Sequence, residues 1–366
     1  MPRLRKAVIA GKRKLSETKV VDLFCGVGGL SHGLKLEGFK VVAGVDNDKG
    51  CKFAFEENND ASFIGKDISR FTVKELKQLF KGARTRVLVG CAPCQPFSAL
   101  NKKRLQKKDA LKHWYPLFRF MRLIRAVKPE IVSMENVPDL SNEKRYPVFA
   151  EFLQTLDECG YSVSYKIVDS SKYGVPQRRK RLVLLASRLG AISLIPETHD
   201  EDDLVTVRDA ISALPRIKDG IHNRRDPLHR SSELSPLNKK RIAATPRNGG
   251  SAKSWDKSLL LECYKKDTGR SYMCSVYGRM RWDEPSPTIT TQCTSLGTGR
   301  FGHPSQNRAI SLREAALLQS FPAEYRFIEG NTITMKHLSR QIGNAVPVLL
   351  GRAIGASLKK HIRQHA

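Results

Sequence analysis

Between residues 19 and 186 the chain alternates short apolar runs with amphipathic stretches, and few architectures accept that rhythm. KVVDLF (19–24), 41–46, RVLVGC (86–91), 131–134, 162–168 and 181–186 read as strands. Helices are expected over 30–37, 47–58, 72–80, 115–127 and 148–159. In the fourth of these, Leu117, Phe120, Met121, Ile124 and Val127 recur at helical spacing, while Arg119, Arg122 and Arg125 take the other face. The pattern predicts an α/β fold, a doubly wound and mainly parallel sheet. In such sheets ligands bind beyond the carboxyl ends of the strands. From about 190 to 306 apolar periodicity fades and Pro, Gly, Ser, Thr, Arg and Lys dominate, as in functional loops or a smaller irregular domain. Order returns with SLREAALLQSF from Ser311, and 346–362 reads as a closing helix.

Charge narrows the partners. The 366 residues hold 64 Lys and Arg against 36 Asp and Glu, a net charge of +28. Such an excess favours a polyanion, because each phosphate neutralised releases condensed counterions. No apolar run is long enough to span a bilayer, and no basic amphipathic helix with a broad apolar face points to a membrane surface. The basic start, 1–17, reads as a solvated arm without a signal peptide's apolar region. Eight cysteines make one CxxC and no second pair at zinc spacing, so neither a metal site nor a disulfide framework is expected.

The polar residues gather where strands end. Asp22-Leu-Phe24-Cys-Gly26-Val-Gly28-Gly29 follows the first strand, with glycines that let backbone approach a ligand closely. Ser31 stands where a GxGxxG fingerprint needs its last glycine, which disfavours a dinucleotide. Asp46, ending the second strand, is placed to accept from ribose hydroxyls, and Asp67 from an adenine amino group. After the strand RVLVGC comes Ala92-Pro93-Cys94-Gln-Pro96. Prolines on both sides stiffen the backbone around Cys94 and aim its thiol into the cleft, whereas Cys91, inside the strand, reads as core. Glu135 lies in Met134-Glu-Asn-Val-Pro138 at another strand end. Arg179 and Arg181, two apart in a strand, point to one face and are expected to serve one site. Gln341-Ile-Gly343-Asn344-Ala-Val346-Pro347 is expected to begin the last helix, with Asn344 as its cap.

DLFCGVGG, PCQPFS, ENV, QRRKR, SLREAALLQSFP and QIGNAVP, in that order, resemble the DNA cytosine-5 methyltransferase family of bacterial restriction–modification type. The likeness covers about 18–188 and 307–350. It implies a Rossmann-like methyltransferase that moves a methyl group from S-adenosylmethionine to carbon 5 of a cytosine in a short duplex DNA sequence, leaving S-adenosylhomocysteine. Phe24, Gly26, Gly28 and Gly29 would line the cofactor pocket, Asp46 and Asn47 the ribose, Asp67 and Ile68 the adenine, and Asn344 and Val346 the floor. Family members often carry Glu where this chain has Asp46. Cys94 would be the nucleophile, attacking carbon 6 of a flipped-out base. Glu135 would contact N3 and the amino group, and Arg181 the O2 edge with Arg179 in support. No residue declares itself as the base that removes the carbon-5 proton.

The implied domains are a basic arm (1–17), a catalytic and cofactor-binding domain (18–189), a target-recognition domain (190–306) and a return segment completing the catalytic domain (307–366). Base readers are expected in 288–300 and the basic stretch 224–247, and a basic loop over 101–113 is expected to close on the DNA backbone. A monomeric bacterial cytoplasmic enzyme is expected, with any partner restriction endonuclease encoded separately. A tRNA methyltransferase, an inactive DNA-binding regulator on the same scaffold and a nicotinamide oxidoreductase are the competing readings.

Overall fold

The computed structural model describes residues 15–93, 107–265, 275–330 and 333–365, with the backbone alone over 107–113. Cys94, residues 101–106 of the basic loop and most of the basic arm lie outside the described residues; the rest of that expected loop, 107–113, is helical instead. The chain packs as two compact units, 1–169 with 180–197 and 348–366, and 170–179 with 198–347.

The elements of the first unit run β1 (Thr18–Leu23), α1 (Gly29–Leu36), β2 (Lys40–Asp46), α2 (Lys52–Asn59), β3 (Ser62–Gly65), α3 (Val73–Leu79), β4 (Thr85–Gly90), α4 (Lys107–Val127), β5 (Ile131–Asn136), α5 (Val148–Glu158), β6 (Ser162–Asp169) and β7 (Lys180–Ser187). They build one seven-stranded sheet in the order β3-β2-β1-β4-β5-β7-β6. Six strands run the same way, and β7 alone runs antiparallel to both its neighbours. The expected doubly wound, mainly parallel sheet is the one observed. Its central strands are buried on both faces, which is why their sequences are nearly continuous apolar runs.

Onto one face pack Leu117, Phe120, Met121 and Ile124 of α4 with Phe149, Phe152 and Leu156 of α5. Each such buried side chain contributes roughly 1.5–3 kcal/mol relative to exposure. The helix predicted for 115–127 begins earlier, at Lys107. Thr72 caps α3 through a reciprocal capping box with Glu75. The closing helix, Val348–Gln364, returns the chain to this unit. It lies so close to α1 that a Cβ on Gly33 would sit 2.5 Å from the Val348 carbonyl oxygen.

Order reversal places the site. From β1 the chain winds outward through β2 and β3, then crosses back to β4 on the other side of β1. The carboxyl ends of β1 and β4 therefore lie side by side with loops diverging between them, which is where α/β sheets open a crevice.

The second unit is loop-rich. Its helices are short: α6 (Val207–Ile211), α7 (Pro236–Ala244), α8 (Glu262–Lys265), α9 (Leu312–Leu318) and α10 (Met335–Asn344). Buried carbonyls in irregular segments need donors from elsewhere. Arg279 supplies several: its guanidinium donates to the carbonyls of Thr245 (3.0 Å), His303 (2.9 Å), Gln306 (2.6 Å) and Ile242 (2.7 Å), and to Asn307 Oδ1 (2.6 Å). Burial, then the neighbouring Arg247 charge, lowers its pKa to about 10, which leaves it charged at neutral pH.

Candidate active site

At the end of β1 the backbone turns left-handed three times, at Phe24 (φ 61°), Gly26 (φ 51°) and Gly28 (φ 89°). The turn is tied down by the Phe24 N–H donating to the Val45 carbonyl (2.7 Å) and the Cys25 N–H to the same oxygen (3.2 Å). Gly28 is the N-cap of α1, which Gly29 begins. A Cβ on Gly26 would meet no atom of the described residues within 4 Å, so they leave open space over the loop. Asp46, the last residue of β2, receives the Gly26 N–H on Oδ2 (2.9 Å) and the Asp48 N–H on Oδ1 (2.8 Å). Burial raises its pKa while these backbone donors oppose the shift.

Nearby, the Asn47 side chain stands close enough to Asp67 to help lower its pKa. Asp67 is exposed and takes the Ser69 N–H at 2.8 Å, and hydrogen bonds from Ser69, side chain and backbone, hold its carboxyl below the usual range. Ile68 is buried and Phe24 half-buried, and both pack on the core. The first unit thus gathers Asp46 with Gly26, and Asn47 with Asp67.

Beneath this loop lies a feature that the sequence reading missed. Asp22, on β1, is buried and accepts from Ser31 Oγ at 2.7 Å. Burial lifts its pKa to about 7; the Ser31 hydrogen bond works against that and the Asp46 charge adds to it. Burial, with the charges of Asp22 and Asp46, also pushes the Cys25 thiol well above its ordinary value. An Asp22 with no apolar face, set two residues before the glycine loop and nine before Ser31, was the available signal.

The second cluster sits at the ends of β4 and β5. Glu135, the penultimate residue of β5, is the strand-end carboxylate expected, and it is only 2% exposed. Arg181, the second residue of β7, brings Nε to 3.0 Å from Glu135 Oε1. The approach is off the N–H axis, and Oε1 accepts no hydrogen bond from a described residue. On the other oxygen, Cys91 Sγ donates to Oε2 at 2.7 Å. Cys91 had been read as strand core; β4 ends at Gly90, and Cys91 is a half-buried residue just beyond it. Asn136 Nδ2 ties the same loop down by donating to the Ala92 carbonyl at 3.1 Å.

Two expectations need correction. Arg179 and Arg181 do not share a face of one strand, because β7 begins only at Lys180. The Arg179 guanidinium is buried in the second unit, donating to the carbonyls of Ile289 (2.9 Å), Gly343 (3.1 Å) and Ala345 (3.4 Å). Asn344 does not cap the last helix but ends α10, and Pro347 separates the two. Asn344 is exposed and Val346 buried, both within the second unit.

Residues 18–360 match the family described as C-5 cytosine-specific DNA methylase. Over 343 residues the chain is 51% identical to the type II methylase M.HgiDII of Herpetosiphon aurantiacus, an alignment covering 94% of this chain and 95% of that one. It is 30% identical over 349 residues to the type II methyltransferase M1.HphI of Haemophilus parahaemolyticus, covering 93% and 86%. In fold it resembles a protein encoded within an E. coli prophage, with TM-score 0.69 at 24% identity over 94% of this chain and 99% of that one. The S. pombe Dnmt2 methyltransferase gives a TM-score of 0.58 at 19% identity, covering 94% and 99%.

Proposed function

The chain belongs to the C-5 cytosine-specific DNA methylases and is a DNA cytosine-5 methyltransferase of restriction–modification type; within that activity we propose that Cys94 adds covalently to a flipped-out cytosine while Glu135 and Arg181 hold the ring. One observation carries the reading. A nearly buried carboxylate, with an arginine against one oxygen, stands at the strand ends beside the three-residue run that leads into Cys94.

Carbon 5 of cytosine is too weak a nucleophile to take a methyl group unaided. Addition of the Cys94 thiolate to carbon 6 forms a C–S bond and moves the ring's double-bond electrons onto carbon 5. Glu135 contacts N3 and the exocyclic amino group, and a proton held at N3 offsets the charge that addition brings into the ring. Arg181, 3.0 Å from that carboxylate, binds the O2 edge. S-adenosylmethionine supplies an electrophilic, sulfonium-activated methyl group. Once carbon 5 is methylated, a base or water takes its proton, and the returning electrons expel Cys94. Thiolate approach is perpendicular to the ring, a face covered by stacking in a duplex, so the base must leave the helix first.

The cofactor fits the glycine loop on structural grounds. Open space over Gly26, a left-handed backbone and the oriented Asp46 carboxylate make a cradle for an adenosyl group. Phe24, Gly26, Gly28 and Gly29 would line it, Asp46 and Asn47 would hold the ribose, and Asp67 and Ile68 the adenine. Residues 190–306 read the target sequence and supply phosphate contacts, in keeping with the net charge of +28. The enzyme acts as a monomer on bacterial DNA, beside a separately encoded nuclease.

Bisulfite sequencing of DNA from cells expressing the chain tests this reading. Protected cytosines at one short recurring sequence are expected, and labelled methyl groups entering tRNA but not duplex DNA would redirect the assignment.

A further inference from the structure

The Cys91 thiol has a role that the methyl-transfer scheme leaves unassigned. Gly90 of β4 pairs with Met134 of β5 in parallel register, so the residues that follow, Cys91 and Glu135, emerge side by side at the carboxyl ends of adjacent strands. The Cys91 N–H donates to the Leu23 carbonyl at 3.3 Å, fixing its backbone to β1. Its sulfur then meets Glu135 Oε2 at 2.7 Å. The neighbouring Asn136–Ala92 hydrogen bond, at 3.1 Å, prevents the loop from lifting away from β5.

The two oxygens of Glu135 are thereby made unequal. Oε2 is engaged by the thiol. Oε1 is buried, lies against the Arg181 guanidinium and accepts no hydrogen bond from a described residue. A buried acceptor in that state calls for a donor from a ligand. We propose that Cys91 is a positioning residue: its S–H donates to Oε2 and fixes the carboxyl plane, so that Oε1 faces the pyrimidine's N3 and amino edge. A thiol is a weak donor, so it sets the orientation while leaving the carboxylate able to bind the base. The inference rests on the reading of Glu135 as the base-contacting acid.

The test is steady-state methyl transfer by the full chain to unmethylated plasmid DNA, with Cys91→Ala, Cys91→Ser and Glu135→Gln assayed alongside the parent. Cys91→Ala is expected to lower kcat by about 10- to 100-fold through misorientation, with KM for DNA and cofactor and the melting temperature little changed. Cys91→Ser, which keeps a donor, should recover most of that loss. A Cys91→Ala protein at the parent's kcat, or a Cys91→Ser protein as slow as Cys91→Ala, would overturn the thiol's role. If Glu135→Gln itself turns over at the parent's rate, the assignment of Glu135 fails, and Cys91 has nothing to position.

Discussion

The Arg308 guanidinium and the Glu314 carboxylate meet in two parallel hydrogen bonds of 2.7 Å, each side chain only 1% exposed. Glu314 also caps its own helix, α9, through Ser311. Burial alone would raise its pKa, but the hydrogen bonds and charge of Arg308 outweigh that and hold it at about 2. Glu314→Gln keeps the volume and leaves a buried guanidinium unpaired, for an expected loss of about 3–5 kcal/mol in urea unfolding. The exposed pair Arg208–Asp283, with side chains 52% and 67% accessible, makes the contrast: Asp283→Asn should leave stability unchanged. Because the folded value is depressed, the Glu314 contribution is full above the ordinary value of 4.5 and is lost as pH falls toward 2.

Asp22 predicts the opposite pH dependence. Its folded pKa is raised from 3.8 to about 7, so the folded chain holds a proton that the unfolded chain has released. That contribution is present below 3.8 and is lost as pH rises through about 7. Asp22→Asn, neutral throughout, should melt like the parent at pH 4 and above it at pH 8. Parallel melting curves across that range would contradict the buried-acid account.

Gly33 and Gly26 separate packing from ligand access. Gly33→Ala would drive a methyl group into the closing helix, 2.5 Å from the Val348 oxygen and the Gly351 carbonyl carbon, for an expected loss of about 1–3 kcal/mol. Gly26→Ala meets no atom of the described residues but takes a left-handed φ, costing roughly 1–2 kcal/mol. Its larger effect should be on S-adenosylmethionine affinity, measured by titration calorimetry, since the methyl group enters the proposed cradle.

Arg179→Lys tests the correction made to that residue. An ammonium cannot span three carbonyls as a planar guanidinium does. Thermal melting is expected to show a loss of about 1–3 kcal/mol, the scale of buried groups left unsatisfied. A variant with parental stability and lost turnover would return Arg179 to the chemistry.

The sheet was legible because β1, β4 and β5 are buried on both faces and carry apolar runs that admit no other reading. The four-residue β3 was missed: Ser62–Gly65 is too short and too exposed to show a period. Every residue of the proposed site other than Asp22 and Cys91 was visible as a polar residue at a strand end or in a motif. Burial and pairing were not, because they join distant segments. The thiol that engages Glu135, for example, lies 44 residues away in the sequence. Arg179 was misread for a local reason, a strand beginning one residue later than its alternation suggested.

Trapping measures the central claim most directly. Duplex DNA carrying 5-fluorocytosine at the methylated position has no carbon-5 proton to lose, so the C–S adduct cannot collapse after methyl transfer. The parent chain with S-adenosylmethionine should form a denaturant-stable complex whose DNA-linked peptide contains Cys94, and Cys94→Ala should form none. A complex of equal yield with Cys94→Ala, or methylation of normal DNA by that variant, would contradict the account.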